Sequence, residues 1–319
     1  MLIPALGGKI RDVTLAGRQW FWHNADVPVA FPEKGASYAL AGDSGGLDEC
    51  FPTVAKCRLP TWVRGAGDRP LPDHGELWSQ KPEVAIVTDE AGHSATCVWT
   101  GSALPYRFTR TVTLRPEGTL SFAYAVVNMG EHRMPFLWSS NPVFPLSART
   151  RLVLPEGSRT RLLTQHGVDF GHAGAEHHWP RVRMGGTLVD LSHPVAALKR
   201  DFACKLFVDL PRAEAVVALE EDGVRLEMRV HGREIPNVGV WINRRGWSPF
   251  TAQRRFLPPF LRERTRAYSN LALQPCIGAP DKLSDALGGW DAAHWLEPGA
   301  TARWSMSWRG VKADSQISR

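Results

Sequence analysis

Several things are scarce in this 319-residue chain, and each absence removes a class of protein. Its five cysteines (Cys50, Cys57, Cys97, Cys204 and Cys276) are odd in number and form no CxxC pair. A zinc ribbon or a disulfide framework is therefore not expected; reduced thiols in a reducing compartment are. No apolar run approaches the roughly 18 residues that a membrane span needs. The start, MLIPALGGKIRDV, lacks the basic stretch and apolar run of a signal peptide. No Asn-x-Ser/Thr sequon occurs. A cytoplasmic protein with no membrane partner is the expectation. Charge of one sign is lacking too: 38 basic residues against 32 acidic ones leave +6. With no regular interleaving of basic and aromatic residues, nucleic acid is not an expected partner. Tyrosine is rare, four residues against thirteen tryptophans. Indoles fill cores wherever the N–H finds an acceptor, and their flat faces also stack on apolar ligand surfaces.

What is present is strand periodicity. From Tyr106 to Val127, Phe108, Arg110, Val112 and Leu114 alternate with Thr109, Thr111 and Thr113. Arg115-Pro116-Glu117-Gly118 supplies a turn, and Leu120, Phe122, Tyr124 and Val126 resume the two-residue period. A second hairpin is predicted from Ala215 to Val230, turning at Glu221-Asp222-Gly223. A third strand pair is predicted to join Lys9–Thr14 to Trp20–His23 through Gly17. Convincing helices are few. The best is a short one from Asp281 to Trp290, with Asp281 as its N-cap and Gly288-Gly289 at its end. With 29 Gly and 24 Pro spread along the chain, many short strands joined by turns are expected, in an all-β sandwich or barrel. The Pro- and Gly-rich stretch from Pro60 to Pro72 reads as a loop over a site, so residues 1–319 are taken as a single domain.

Several segments, in order, resemble the aldose 1-epimerase (galactose mutarotase-like) superfamily, in particular its broad bacterial branch. They are LGGKIRDVTLAGRQWFW at the start, GGLDECFPT (45–53), LPDHGELW (71–78) and YAVVNMGEHRMPFLWSSNPVF (124–144). They continue through CKLFVDL (204–210), NVGVWINRRGW (237–247) and NLALQPCIGAPDKLSDA (270–286). The resemblance implies a β-supersandwich of antiparallel sheets with few short helices, and a sugar site in a groove on one sheet face. It implies interconversion of the α and β anomers of an aldose, with no cofactor and no metal. A carboxylate takes the proton of the anomeric hydroxyl while an imidazole protonates the ring oxygen, so each needs a pKa near working pH.

Carried over residue by residue, the resemblance places the site at His74, Asn141 and Gln274. His74 matches the family's His-Gly element. Asn141, in Asn141-Pro142-Val143-Phe144, stands where the family has a second His. Gln274, in Gln274-Pro275-Cys276-Ile277-Gly278, stands where the family has its catalytic Glu. An amide hydrogen-bonds but does not trade protons at neutral pH. Both replacements keep size and polarity while removing proton transfer. Two readings follow: an active mutarotase that uses another carboxylate, or a sugar-binding relative with impaired catalysis. Asp48, Glu49, Asp73, Glu76 and Asp281 are the carboxylates near the matched segments. Asp48, Glu49, Asp73, Trp78, Lys205, Trp241 and Trp247 are the expected substrate contacts. Seven arginines between Arg244 and Arg266 suit a phosphate or carboxylate through bidentate contacts. The partner expected is a small-molecule sugar, with a sugar phosphate or uronate among the candidates, bound by a monomer or a dimer.

Overall fold

The computed structural model describes residues 1–33, 36–250 and 267–312. Two large sheets carry the chain, one of eleven strands and one of eight. Across the middle of the first run, in spatial order, Gly46–Cys50, Trp138–Pro145, Ser269–Ile277, Asn237–Arg244, Phe202–Asp209 and Arg159–His166. The second is built on Glu214–Glu221, Val224–His231, Thr301–Lys312, Leu120–Asn128, Tyr106–Leu114, Gly92–Thr100 and Glu83–Asp89. The ladders joining these strands are antiparallel. Helices are marginal: Pro194–Ala197 and Leu283–Ala286 are single α-turns.

Period-two alternation decides which face of each strand is buried. Leu47, Leu206, Val240 and Leu273 of the first sheet belong to one apolar cluster with Phe108, Phe122, Met228 and Trp308 of the second. Burying a side chain of this size contributes about 1.5–3 kcal/mol each. One position in that interior is charged. Arg110 occupies an inward place in the Phe108-Arg110-Val112 alternation and is fully buried. Its guanidinium donates to Glu49 Oε1 at 3.3 Å, to the Gly8 carbonyl, and lies 5.5 Å from the Trp99 ring centroid. Glu49 also accepts from Tyr124 Oη at 3.1 Å and Trp138 Nε1 at 2.9 Å. The two sheets are thus tied by a hydrogen-bonded ion pair, although Arg110 Nε has no hydrogen-bond partner.

The first two predicted hairpins form. Tyr106–Leu114 pairs with Leu120–Asn128, and Glu214–Glu221 pairs with Val224–His231 around Asp222-Gly223. The third does not form as expected. Gly7 and Gly8, both at positive φ (63° and 67°), reverse the chain and fold Leu2–Ile3 onto Lys9–Ile10. Ile10 then joins Leu47, while Thr14–Leu15 pairs only with Arg18–Gln19. The helix expected over Asp281–Trp290 shrinks to Leu283–Ala286, with Lys282 at its N-cap. Asp281 does not cap it: its carboxylate is bonded to Lys205, and the Leu283 N–H donates to Thr53 Oγ1 at 3.2 Å. In the Pro60–Pro72 loop, Cys57–Arg58 pairs with Pro70–Leu71, closing the loop at its base.

Candidate functional site

The site lies on the face of the eleven-stranded sheet that turns away from the core. Registers there line residues up across the strands. Asp48 faces Asn141, Gln274 faces Gly239, and Gly239 faces Phe207. The pairings Ser139↔Cys276 and Val143↔Ala272 bracket Asn141 and bring it level with Gln274. One step along, Lys205 faces Trp241. Residues more than two hundred positions apart therefore share one polar row.

The row is wired in one direction. Gln274 Nε2 donates to Asn141 Oδ1 at 2.5 Å, and Asn141 Nδ2 donates to Tyr38 Oη at 3.1 Å. Tyr38 Oη donates to Asp48 Oδ2 at 2.9 Å, which also receives the Lys9 ammonium. Lys9 spends its remaining donors on the carbonyls of Gly42 (3.2 Å) and Gly45 (3.0 Å). The chain is thus a relay of donors ending on one carboxylate, an arrangement in which each bond polarises the next. Acceptor capacity is left over: Gln274 Oε1, Asp48 Oδ1 and Asp43 Oδ1 are buried without a hydrogen-bond partner.

His74 closes this row from the side. The Pro72–Gly75 turn holds it at φ +57°, with its N–H donating to the Val54 carbonyl at 2.7 Å. Gly75 follows at φ +70°, where a Cβ would fall 2.1 Å from the Phe51 carbonyl oxygen. The imidazole stacks on Tyr38 at 3.8 Å between centroids and 13° between planes, and Trp78 meets Tyr38 edge-on at 5.1 Å. His74 Nδ1 lies 3.2 Å from Asp73 Oδ1. Burial pulls the Asp73 carboxyl up, but the hydrogen bond and charge of His74 outweigh it and leave Asp73 below its ordinary value. Burial raises Asp43 to about 6, against the pull of Lys9 and His74. Burial, with Asp48 and Asp43 close by, holds the Tyr38 phenol well above its ordinary value, so it stays protonated.

The expected site residues therefore divide. His74, Asp73, Asn141, Gln274 and Asp48 gather around Tyr38. Lys205 is beside Gln274: a Cβ on Gly239 would lie 2.9 Å from Gln274 Oε1 and 3.4 Å from Lys205 Cε. Its ammonium donates to Asp281 Oδ1 at 2.5 Å. Trp241 faces Lys205 and meets Trp247 edge-on at 5.7 Å. Trp78 is buried behind Tyr38, its Nε1 donating to the Asp73 carbonyl at 2.9 Å. Glu49 is not part of the group. One residue along the strand from Asp48, it points through the sheet into the core, where Arg110 holds it. Glu76 also turns away, accepting from Tyr106 Oη at 3.0 Å and the Ala103 N–H at 2.9 Å. Of the arginine-rich run, Arg244 and Arg245 are bonded to Leu198 O and Asp201, and Arg254, Arg255, Arg262, Arg264 and Arg266 lie outside the described residues. Lys9, Tyr38 and Asp43 are the members that the sequence did not announce. Tyr38 carried one faint signal, its rarity. Among the described residues, no three His, Cys, Asp or Glu side chains converge as metal ligands.

Comparison of the whole chain with solved structures gives the architecture a name. A galactose mutarotase related enzyme from Lactobacillus acidophilus superposes with a TM-score of 0.60 at 17% identity, over 99% of this chain and 95% of that one. A galactose mutarotase-like protein from Lactobacillus casei gives 0.62 at 16% identity, over 96% and 95%. The chain has the galactose mutarotase-like fold. The Slr1438 protein of Synechocystis sp. PCC 6803 shares this fold with the chain, with a TM-score of 0.65 at 17% identity over 98% and 91%. No protein-family model and no curated protein sequence matches the chain. On this galactose mutarotase-like frame, the polar row occupies the sheet face turned away from the core, with its side chains buried.

Proposed function

We propose that the chain binds an aldose on the face formed by His74, Asn141, Gln274 and Lys205. We further propose that it interconverts anomers far more slowly than a protein with an imidazole and a carboxylate at positions 141 and 274. The observation that carries this reading is the bond from Gln274 to Asn141, continued through Tyr38 to Asp48. Two amides head the relay, and neither can take or give a proton at neutral pH. They can still bind. Gln274 Oε1 heads the relay, buried and without a hydrogen-bond partner, so a sugar hydroxyl that reached it would extend the relay cooperatively. Unpartnered acceptors suit a ligand rich in O–H donors. The two lysines of the row are each committed to a carboxylate.

A second reading rests on one observation. Asp73 and His74 form a half-exposed acid–imidazole pair at 3.2 Å, which is the chemistry of a general acid–base couple. Two measurements on one sample separate the readings. Polarimetry on freshly dissolved α-glucose and α-galactose reports turnover, and the unfolding midpoint with and without each sugar reports binding. The first reading expects a sugar-dependent rise in midpoint with no acceleration of mutarotation. Acceleration abolished by Asp73→Asn and kept by Gln274→Ala would establish the second reading. No response in either assay would remove glucose and galactose as ligands.

A further inference from the structure

The eight-stranded sheet ends on Glu83–Asp89, a strand with no neighbour on its outer side among the described residues. All seven of its residues are exposed, with Ile86 at 71%, Val87 at 53% and Val84 at 37% of their full accessibility. Its ladder to Gly92–Val98 runs without a register shift from Glu83↔Val98 to Asp89↔Gly92, so no bulge twists it away. Between its terminal acids the sequence is Val-Ala-Ile-Val-Thr, uncharged and β-branched at every position but Ala85. Edge strands of monomeric sheets are commonly protected by an inward charge, a proline or a bulge, because unpaired N–H and C=O groups recruit another strand. Residues 83–89 carry none of the three.

We propose that the chain forms a two-fold dimer by pairing this edge with the same edge of a second copy, joining their two eight-stranded sheets. A two-fold axis perpendicular to the sheet makes the new pair antiparallel and self-complementary. It also keeps each residue on its own face, so the axis passes through a residue. Charge chooses between the register that pairs all seven residues and the one shifted by a single residue toward Lys81. An axis through Ile86 sets Glu83 against the partner's Asp89 twice, a like-charge arrangement that is unfavourable directly across a ladder. An axis through Ala85 pairs Glu83–Val87 and brings Lys81, which precedes the strand and Pro82, level with the partner's Asp89 twice. The same register places Val84 against the partner's Ile86, and the reverse.

Those apolar residues lie on the side that faces the core. Ile86 pairs with Ala95, Ala95 with Val112 and Val112 with Phe122, which is buried. The apolar face of the sheet therefore runs past the covering sheet and leaves Val84 and Ile86 bare. In the dimer these four side chains form one patch across the axis. Lys81 stands two residues before the strand, with its ammonium 5.4 Å from the Phe31 ring. An edge contact of this length is small beside stable interfaces, so dissociation on the order of micromolar is expected.

Sedimentation velocity on the full chain, over about 1 to 100 μM to bracket that range, tests the proposal. The expected result is a concentration-dependent doubling of mass, lost in Ile86→Lys. Lys81→Asp and Asp89→Lys alone should each weaken association at least about tenfold, and together restore it. These positions are exposed, so each variant should keep the parent unfolding midpoint, which identifies any variant that fails by misfolding. One chain mass at every concentration overturns the proposal, as does a dimer that survives Ile86→Lys. Tighter association in Asp89→Lys alone overturns the register.

Discussion

Replacing Arg110 by Met tests how the two sheets are held. The guanidinium is fully buried and so is Glu49, with Tyr124 and Trp138 as the carboxylate's other donors. Burial raises Glu49 from 4.5 to about 7 even with Arg110 pulling it down, and Glu49 in turn raises Arg110. Removing Arg110 leaves an uncompensated buried carboxylate, which costs about 3–5 kcal/mol. For a chain of this length that is a fall in unfolding midpoint on the order of 10 °C. The variant also gains a pH signature. With the cation gone, the folded-state pKa of Glu49 rises further above its unfolded value. A carboxyl raised in this way contributes its full stability below about pH 4.5 and loses it as pH rises through the folded pKa, by about 1.4 kcal/mol per unit. Arg110→Met should therefore lose more against the parent at pH 8 than at pH 5, in urea unfolding at both values. Glu49→Leu added to Arg110→Met should recover part of the loss, since it removes the uncompensated charge but leaves Tyr124 Oη and Trp138 Nε1 without their acceptor. A single variant within about 1 kcal/mol of the parent at both pH values would refute the account of the ion pair, because the penalty it rests on would be absent.

Other expectations concern the site. Gln274→Glu with Asn141→His should raise mutarotation of α-glucose by up to about 10²–10⁴-fold in polarimetry, the usual contribution of a positioned acid–base pair. Gly239→Ala should cut sugar-dependent thermal stabilisation without unfolding the chain, because the new Cβ would stand 2.9 Å from Gln274 Oε1 and crowd a flexible side chain. Asp43, raised from 3.8 to about 6, contributes stability that is full below pH 3.8 and lost as pH rises through 6; Asp43→Asn should flatten the stability profile across that window. Alkylation followed by mass measurement should label Cys57 alone in the folded chain and all five cysteines after unfolding without reductant, since the other four are buried and none is paired.

What could be read from the residues follows their physical locality. A two-residue period with a Pro-Glu-Gly turn specifies a hairpin without help from the rest of the chain, and Tyr106–Leu114 with Leu120–Asn128 formed as written. Arg110 was visible as an inward charge in that pattern, but its partner Glu49 comes from the other sheet, and no local signal names it. For the same reason Glu49 was grouped with Asp48: adjacent residues on a strand point to opposite faces, and sequence order does not say which face is covered. The helix after Asp281 is shorter than expected, and its first N–H is taken by Thr53, a residue 230 positions earlier that no local signal names. Asn141 and Gln274 were found by their flanking motifs, which makes their hydrogen bond a consequence of register rather than of any spacing. Lys9, Tyr38 and Asp43 enter the site only through tertiary packing around Gly42 and Gly45.

Tyr38 changes what an affinity measured at this site means. A flat six-membered ring with one hydroxyl lies in full contact with His74, and its hydroxyl takes the bonds that Asn141 and Asp48 have to offer. The Tyr38 side chain thus covers that face of His74. A ligand that is to lie on that face of His74 must displace it, so the observed dissociation constant is the intrinsic one multiplied by the advantage of the closed arrangement. Because the chain itself holds the phenol at a high local concentration, raising the total protein concentration does not dilute that advantage. Weak binding by the intact chain would then report the strength of the Tyr38 contacts as much as the fit of the sugar.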